Sequence, residues 1–273
     1  MKELTPSDIK SGTEPQLFDI TDEHDFSFPE EFLPIVRENM PAIYDHSVKL
    51  AETAVQYKEM MMVYTCALKE IRTRFEVLNA EFSVRHSRNP INFITTRLKR
   101  ASSLFEKMER SGMPLSVENI EKYIDDAAGI RVICSYTDDI YLIAQALAAQ
   151  SDIELITQKD YIADPKPSGY RSLHMIVRVP VNFQNGIKHV KAEVQIRTIA
   201  MDFWATLEHE LKYKNKITGA EAIAAELKEC AGIVSDADSK MLEIRKRIEE
   251  NSKERSDEDL LIEQVRKLDQ PIE

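Results

Sequence analysis

Asp125-Asp126-Ala-Ala-Gly129-Ile-Arg131-Val-Ile-Cys-Ser-Tyr136 runs from two carboxylates straight into a β-branched segment. The run from Gly129 onward reads as a strand, because Ile and Val pack well on a pleated surface. Asp126 then stands at the mouth of that strand. Downstream, Thr137 to Ala149 reads as a helix and Ile153 to Thr157 as a strand. Leu173 to Val179 and Val190 to Ile196 read as two more strands, joined through the hairpin-type turn Asn185-Gly186. A helix from about Ile199 to Tyr213 follows, and 219–268 reads as two helical segments.

Upstream, Pro34 and Pro41 bracket a short helix. From Asp45 to Phe82, Val48, Ala51, Val55, Met62 and Ala67 recur at helical spacing until Asn89-Pro90 breaks the pattern. Ile91 to Arg110 reads as a second helix, stopped by Ser111-Gly112 and Pro114. Ser116, with Asn119 three residues on, caps a short helix ending near Ile124. Helices, then a helix–strand mixture, then helices imply an α/β (α+β) fold with a sheet of about four or five strands.

The 273 residues suffice for a sizeable core, and the low glycine count of 7 argues against a turn-dense β-sandwich. The net charge of −11 is unevenly placed: residues 1–31 carry −7, 217–273 carry −6, and 32–216 carry +2. Tight basic clusters within that near-neutral middle suit small polyanions rather than duplex DNA. Cys66, Cys134 and Cys230 form no metal-ligand spacing and read as reduced thiols of a cytoplasmic protein. No signal peptide or membrane span is expected, and the acidic 1–30 segment reads as a disordered tail.

Four clusters bear chemistry. On a helix, Lys99, Ser103 and Lys107 would share one stripe with Arg97 beside it, a set matched to triphosphate oxygens. A solvated basic face would look the same. Asp126 at a strand mouth suits Mg²⁺, which needs only one or two carboxylates, although an incidental acid also fits. In Lys159-Asp-Tyr-Ile-Ala-Asp-Pro-Lys166-Pro-Ser-Gly-Tyr170-Arg-Ser-Leu-His174, two prolines and a glycine set a rigid turn that presents Lys166 and Tyr170. That turn offers an aromatic ring beside cations for a nucleotide, or a ring that merely packs. Strand alternation over Glu193-Val-Gln195-Ile-Arg197 puts three polar side chains on one face. Charge there is costly unless it is used. Asp202 opens the next helix, and Trp204 reads as core.

Taken together and in this order, Arg97-x-Lys99-x-x-x-Ser103-x-x-x-Lys107, Asp126-Ala-Ala-Gly-Ile-Arg131, Pro165-Lys-Pro-Ser-Gly-Tyr170-Arg-Ser-Leu-His174 and Glu193-Val-Gln-Ile-Arg-Thr198 resemble the synthetase domain of the RelA/SpoT family. The likeness is narrower with its small alarmone synthetases. Two departures stand out: Ala127 where Ile is usual, and Asp202 where Asn is frequent. The resemblance implies a nucleotidyltransferase-like mixed sheet of about five strands flanked by helices, with helical N- and C-terminal extensions. It implies a synthetase domain over 31–216 and an oligomerising helical extension over 217–273. The implied activity is GTP pyrophosphokinase: pyrophosphate transfer from ATP to the 3′-hydroxyl of GDP or GTP, making the (p)ppGpp of stringent-response signalling.

By resemblance, Arg97, Lys99, Ser103, Lys107 and Arg131 bind ATP. Lys159, Lys166, Tyr170, His174, Gln195 and Asp202 bind GDP or GTP. Asp126 and Glu193 are catalytic and hold Mg²⁺. The larger family members carry a hydrolase domain before the synthetase; only about 40 residues precede the first long helix here, so no product hydrolysis is expected. A homotetramer is implied; single-stranded RNA stays open as a further partner that the sequence does not decide, and no membrane partner is expected. A template-directed nucleotidyltransferase is disfavoured by the acidic charge. A catalytically silent nucleotide or RNA regulator is the alternative, disfavoured by the presence of both Asp126 and Glu193.

Overall fold

A computed structural model describes residues 33–86, 88–213 and 220–252. The acidic tail, the 214–219 link and the segment beyond 252 lie outside these residues, so the expected disorder and the second C-terminal helix are not described. The chain divides into a unit up to Thr53 and a larger unit from Ala54 onward. The sheet and the site described below lie in the larger unit.

Eleven elements appear among the described residues. They are α1 (Leu33–His86), β1 (Ile91–Leu98), α2 (Ala101–Arg110), α3 (Val117–Tyr123), β2 (Ala128–Cys134), α4 (Thr137–Ala148), β3 (Glu154–Asp160), β4 (Leu173–Phe183), β5 (Gly186–Thr198), α5 (Ile199–Tyr213) and α6 (Ala220–Ser252). The five strands form one mixed sheet in the order β1-β2-β5-β4-β3. Only β2 and β5 pair in parallel; the other three pairings are antiparallel. This is the expected mixed sheet flanked by helices.

β4 shows why the sheet has two chemically different faces. Leu173, Met175, Val177, Val179 and Val181 are buried, while His174, Ile176, Arg178 and Pro180 between them are half-buried. β5 repeats the alternation, with Val194 and Ile196 fully buried and Glu193 and Gln195 less so. The apolar positions join one core with Ile130 and Val132 of β2, Phe75 and Ile71 of α1, Leu104 and Met108 of α2, and Ile140 and Ile143 of α4. The β4–β5 hairpin closes through Gln184-Asn185, and Gly186 takes a φ of 120°, which disfavours a side chain. Among the described residues, no helix is long and apolar enough to cross a membrane.

Two expectations fail. α1 runs unbroken from Leu33, so no separate helix lies between Pro34 and Pro41. Pro34 falls in the first turn, where its missing N–H would be unpaired in any case. More consequentially, Ile91 to Arg110 is not one helix: Ile91–Leu98 is a strand and only Ala101–Arg110 is helical. The recurrence of Ile91, Ile94, Leu98 and Ala101 mimics a helical stripe. Ile-Thr-Thr at 94–96 instead favours extended backbone, because β-branched side chains are stiff. Pairing with β2 decides it, down to the Lys99 N–H that donates to the Ala127 carbonyl at 2.9 Å. β3 is also displaced from its expected span, reaching Asp160 and so including Lys159.

Candidate active site

The break at residue 99 rearranges the basic cluster without dispersing it. Arg97 lies at the end of β1, Lys99 in the junction, and Ser103 and Lys107 on α2. Both ammonium groups reach Asp126 just ahead of β2: Lys99 Nζ lies 2.5 Å from Oδ2 and Lys107 Nζ 2.7 Å from Oδ1. Burial pushes the Asp126 carboxyl up, but its bonds to Lys107 and Lys99 outweigh that and hold it below the usual range. The two cations therefore keep an ionised carboxylate at the strand mouth.

Strand register lays the remaining side chains in two rows. In one, Thr95, Arg131, Gln195, His174 and Lys159 are successive cross-strand partners over all five strands. In the other, Arg97 is partnered by Gly129, and Gly129 by Glu193. Gly129 adds no side chain between Arg97 and Glu193, so the floor of the sheet is open there. The result is a cleft of about 200 Å³ whose lining includes Thr95, Arg97, Lys99, Asp126, Gly129, Arg131, Glu193 and Gln195. Asp126 and Glu193, distant in sequence, thus face one space. Arg97, Lys99 and Arg131 outnumber them there, which suits a polyanion.

Glu193 is gripped on both oxygens. His174 Nδ1 lies 3.1 Å from Oε1, and Gln195 Nε2 donates to Oε2 at 2.8 Å. Burial raises its pKa, Asp126 adds to that, and the bonds to His174 and Gln195 prevail, so Glu193 titrates below its ordinary value. Burial and the neighbouring Arg197 lower the Arg131 guanidinium from its usual high value.

The loop between β3 and β4 forms the other side of the site. Asp160 Oδ1 accepts from the Ile162 and Ala163 N–H groups, which fixes its start. Gly169 N–H donates to the Lys166 carbonyl at 2.8 Å, closing a turn with Pro167 and Ser168 at its centre. Lys166 is exposed, with Nζ 4.6 Å from the Tyr161 ring centroid and 5.0 Å from that of Tyr170. Tyr170 is half-buried rather than standing free. Its hydroxyl lies 2.8 Å from His174 Nε2, and its ring packs against a small cluster of Trp204, Ala205 and Ala231. Trp204 is core, as its type suggested. Lys159 is exposed at the end of its row on the edge strand. Asp202 is paired with Arg197, Nη1 to Oδ1 at 3.1 Å.

Arg97, Lys99, Asp126, Arg131, Glu193 and Gln195 line the cleft, Ser103 and Lys107 lie on the flanking α2, and Lys166 and Tyr170 on the adjoining loop, whereas His174 on β4, Lys159 on the edge strand β3 and Asp202 in the first turn of α5 lie outside that lining. Sequence reasoning missed the anchoring role of Asp160 and the reach of Arg197, which touches both Tyr170 and Gln195. Alternation alone shows the face a side chain takes, not what its far end meets.

Comparison with known proteins agrees with this geometry. The family described as "Region found in RelA / SpoT proteins" matches residues 96–218. The GTP pyrophosphokinase YwaC of Bacillus subtilis (strain 168) is 41% identical over 75% of this chain and 97% of its own. The GTP pyrophosphokinase YjbM of the same organism is 36% identical over 71% of this chain and 91% of its own. Among solved structures, small alarmone synthetase 2 of B. subtilis superposes with a TM-score of 0.63 at 42% identity, covering 70% of this chain and 98% of that one. Small alarmone synthetase 1 of B. subtilis bound to its product pppGpp gives 0.65 at 36% identity, covering 71% and 98%. With an ionised carboxylate pair in a basic cleft and identities of this order over nearly the whole length of its relatives, the chain belongs to the RelA/SpoT family, among the small alarmone synthetases.

Proposed function

We propose that this protein is a GTP pyrophosphokinase that moves the β,γ-pyrophosphate of ATP to the ribose 3′-oxygen of GDP or GTP, yielding AMP and ppGpp or pppGpp. The observation that carries this reading is the convergence of Asp126 and Glu193 on one cleft lined by Arg97, Lys99 and Arg131. The relatives named GTP pyrophosphokinase support the same reaction.

ATP is assigned to the β1–β2 side. Arg97 and Arg131 are diagonal neighbours on one face, placed to stack their planar guanidinium groups on adenine. Lys99, Lys107 and Ser103 meet the phosphates. GDP or GTP is assigned to the loop side, with its base on Tyr170 and Asp202, its phosphates on Lys166, Lys159 and His174, and Gln195 between the two nucleotides. The 3′-oxygen attacks the β-phosphorus and its proton passes to Glu193. The bond from that phosphorus to the α–β bridging oxygen breaks, and AMP leaves with the oxygen. Glu193 is held by two donors and kept ionised, which suits an acceptor that orients the hydroxyl. Positioning and charge neutralisation supply the rest.

The donor set fits Mg²⁺, since Asp126 and Glu193 are hard oxygen ligands both held ionised at the same cleft. When bound there, Mg²⁺ supplies charge neutralisation at the β- and γ-phosphates. The test is thin-layer chromatography of the purified chain with labelled ATP, Mg²⁺ and GDP or GTP. A tetra- or pentaphosphate product is expected, persisting on prolonged incubation. Release of free phosphate alone would refute the assignment.

The same proposal includes a homotetramer. Ile199, Phe203, Leu207 and Leu211 recur every four residues along α5 and are 42–59% exposed. A row of that kind is apolar surface suited to a second copy of the chain.

A further inference from the structure

We propose that Arg197 is a positioning residue for the acceptor nucleotide, its single guanidinium holding Tyr170, Gln195 and Asp202 in one arrangement. The proposal rests on the synthetase reading above and adds a residue to which that reading gives no role.

Arg197 lies on β5 two positions beyond Gln195, on the same face, and is only 4% exposed. Its cross-strand partner on β2 is the fully buried Ile133. A guanidinium in such a place is costly unless its charge and its donors are met. They are met almost wholly by acceptor-side residues. Nη1 pairs with Asp202 Oδ1 at 3.1 Å. Nη2 donates to the Tyr170 hydroxyl at 2.5 Å and to Gln195 Oε1 at 3.0 Å. Nε approaches Ser172 Oγ at 3.4 Å, and the guanidinium carbon lies 5.1 Å from the Tyr170 ring centroid. One rigid fork thus fixes the stacking ring by both face and hydroxyl, and ties it to Asp202 in the first turn of the next helix.

The arrangement extends to the reacting carboxylate. With Arg197 donating to the Tyr170 oxygen, the phenol O–H is left to donate to His174 Nε2 at 2.8 Å. His174 Nδ1–H is then left to donate to Glu193 Oε1 at 3.1 Å. On the other branch, Gln195 accepts from Arg197 and donates to Glu193 Oε2 at 2.8 Å. Both grips on Glu193 therefore trace back to Arg197. Lysine cannot substitute, because a point ammonium group has no planar fork to span three partners.

Steady-state kinetics of Arg197→Lys, Tyr170→Phe and the double variant test this, alongside the wild type. Arg197→Lys is expected to raise the KM for GDP and GTP roughly tenfold or more, the loss of charge-assisted bonds, while the KM for ATP stays within about twofold. On the Tyr170→Phe background the same change is expected to cost much less, since the shared hydroxyl is already gone. An unchanged acceptor KM, a parallel rise for both substrates, or fully multiplicative single effects would each overturn the assignment. Should Arg197→Lys fail to fold, Tyr170→Phe decides alone: it removes one hydroxyl and must raise the acceptor KM selectively. Wild-type turnover in the same assay separates failure of this inference from failure of the synthetase reading.

Discussion

Glu193 and Asp126 owe their ionisation to named neighbours, and that has a measurable consequence. Both carboxyls titrate below their ordinary values, 4.5 for glutamate and 3.8 for aspartate, because bonded donors outweigh burial. A lowered native pKa means that the unfolded chain binds protons first. The stabilisation is complete above those ordinary values and is lost as pH falls through them toward the native ones. Thermal melts of the wild type and Glu193→Gln from pH 7 to pH 3 should therefore converge as the acid is protonated, the wild type falling more steeply below about pH 4.5. Parallel curves would show that His174 and Gln195 do not hold the charge. At this scale the sequence was informative where spacing alone places a side chain. Asp126 at a strand mouth and Glu193 two residues from Gln195 were legible. Arg197 was not, since its partners Tyr170 and Asp202 come from a loop and a helix whose approach no periodicity encodes.

The elements were legible where one period prevailed. β4 and β5 alternate cleanly, α5 spans the expected Ile199–Tyr213, and the Ser116 hydroxyl accepts from Asn119 N–H at the start of α3. Ile91–Leu98 was misread because eight residues of strand followed by a helix can imitate a longer helix. The conflict is settled only by the partner strand β2, which local sequence does not contain. The most informative contact between elements is that of the loop before β4 with α6. Gly169 has a φ of 89°, and a Cβ there would lie 2.5 Å from the Ala231 Cβ. Around it, Trp204 Nε1 donates to the Leu227 carbonyl, Thr198 Oγ1 donates to Asp238 Oδ2 at 2.7 Å, and Arg171 bonds Ser235. α6 is therefore a backstop to the loop that presents Tyr170. Gly169→Ala should cost about 1–3 kcal/mol of stability through strain and crowding. It should also raise the KM for GDP more than that for ATP. A variant with wild-type melting temperature and kinetics would show that this contact is slack.

At the scale of the whole molecule, charge and exposed apolar surface set the expectations. The basic cluster sits in a chain whose net charge is −11, so the field favours a small polyanion inside the cleft over nucleic acid spread across the surface. The exposed row on α5 bears on assembly. Light scattering is expected to give about 126 kDa, four chains of 31.4 kDa, and Phe203→Glu should shift the mass toward that of one chain by burying charge in the contact. A wild-type mass near 31.4 kDa would remove the tetramer. The family and a mixed sheet of about five strands were readable from four motifs in sequence order; the strand order β1-β2-β5-β4-β3 was not, since its edge strand β1 read as helix. The exposed row on α5 was not legible as a contact surface, because an apolar residue every fourth position serves a private core and a shared interface equally well.

The central claim is that the carboxylate of Glu193 drives transfer between nucleotides already bound in the cleft. It is tested most directly by single-turnover product formation in Glu193→Gln at saturating ATP, Mg²⁺ and GTP. The account predicts a loss of at least roughly a thousandfold, with pentaphosphate barely detectable while both substrates still bind. Conversion of labelled ATP and GTP to pentaphosphate at a rate near that of the wild type would contradict it.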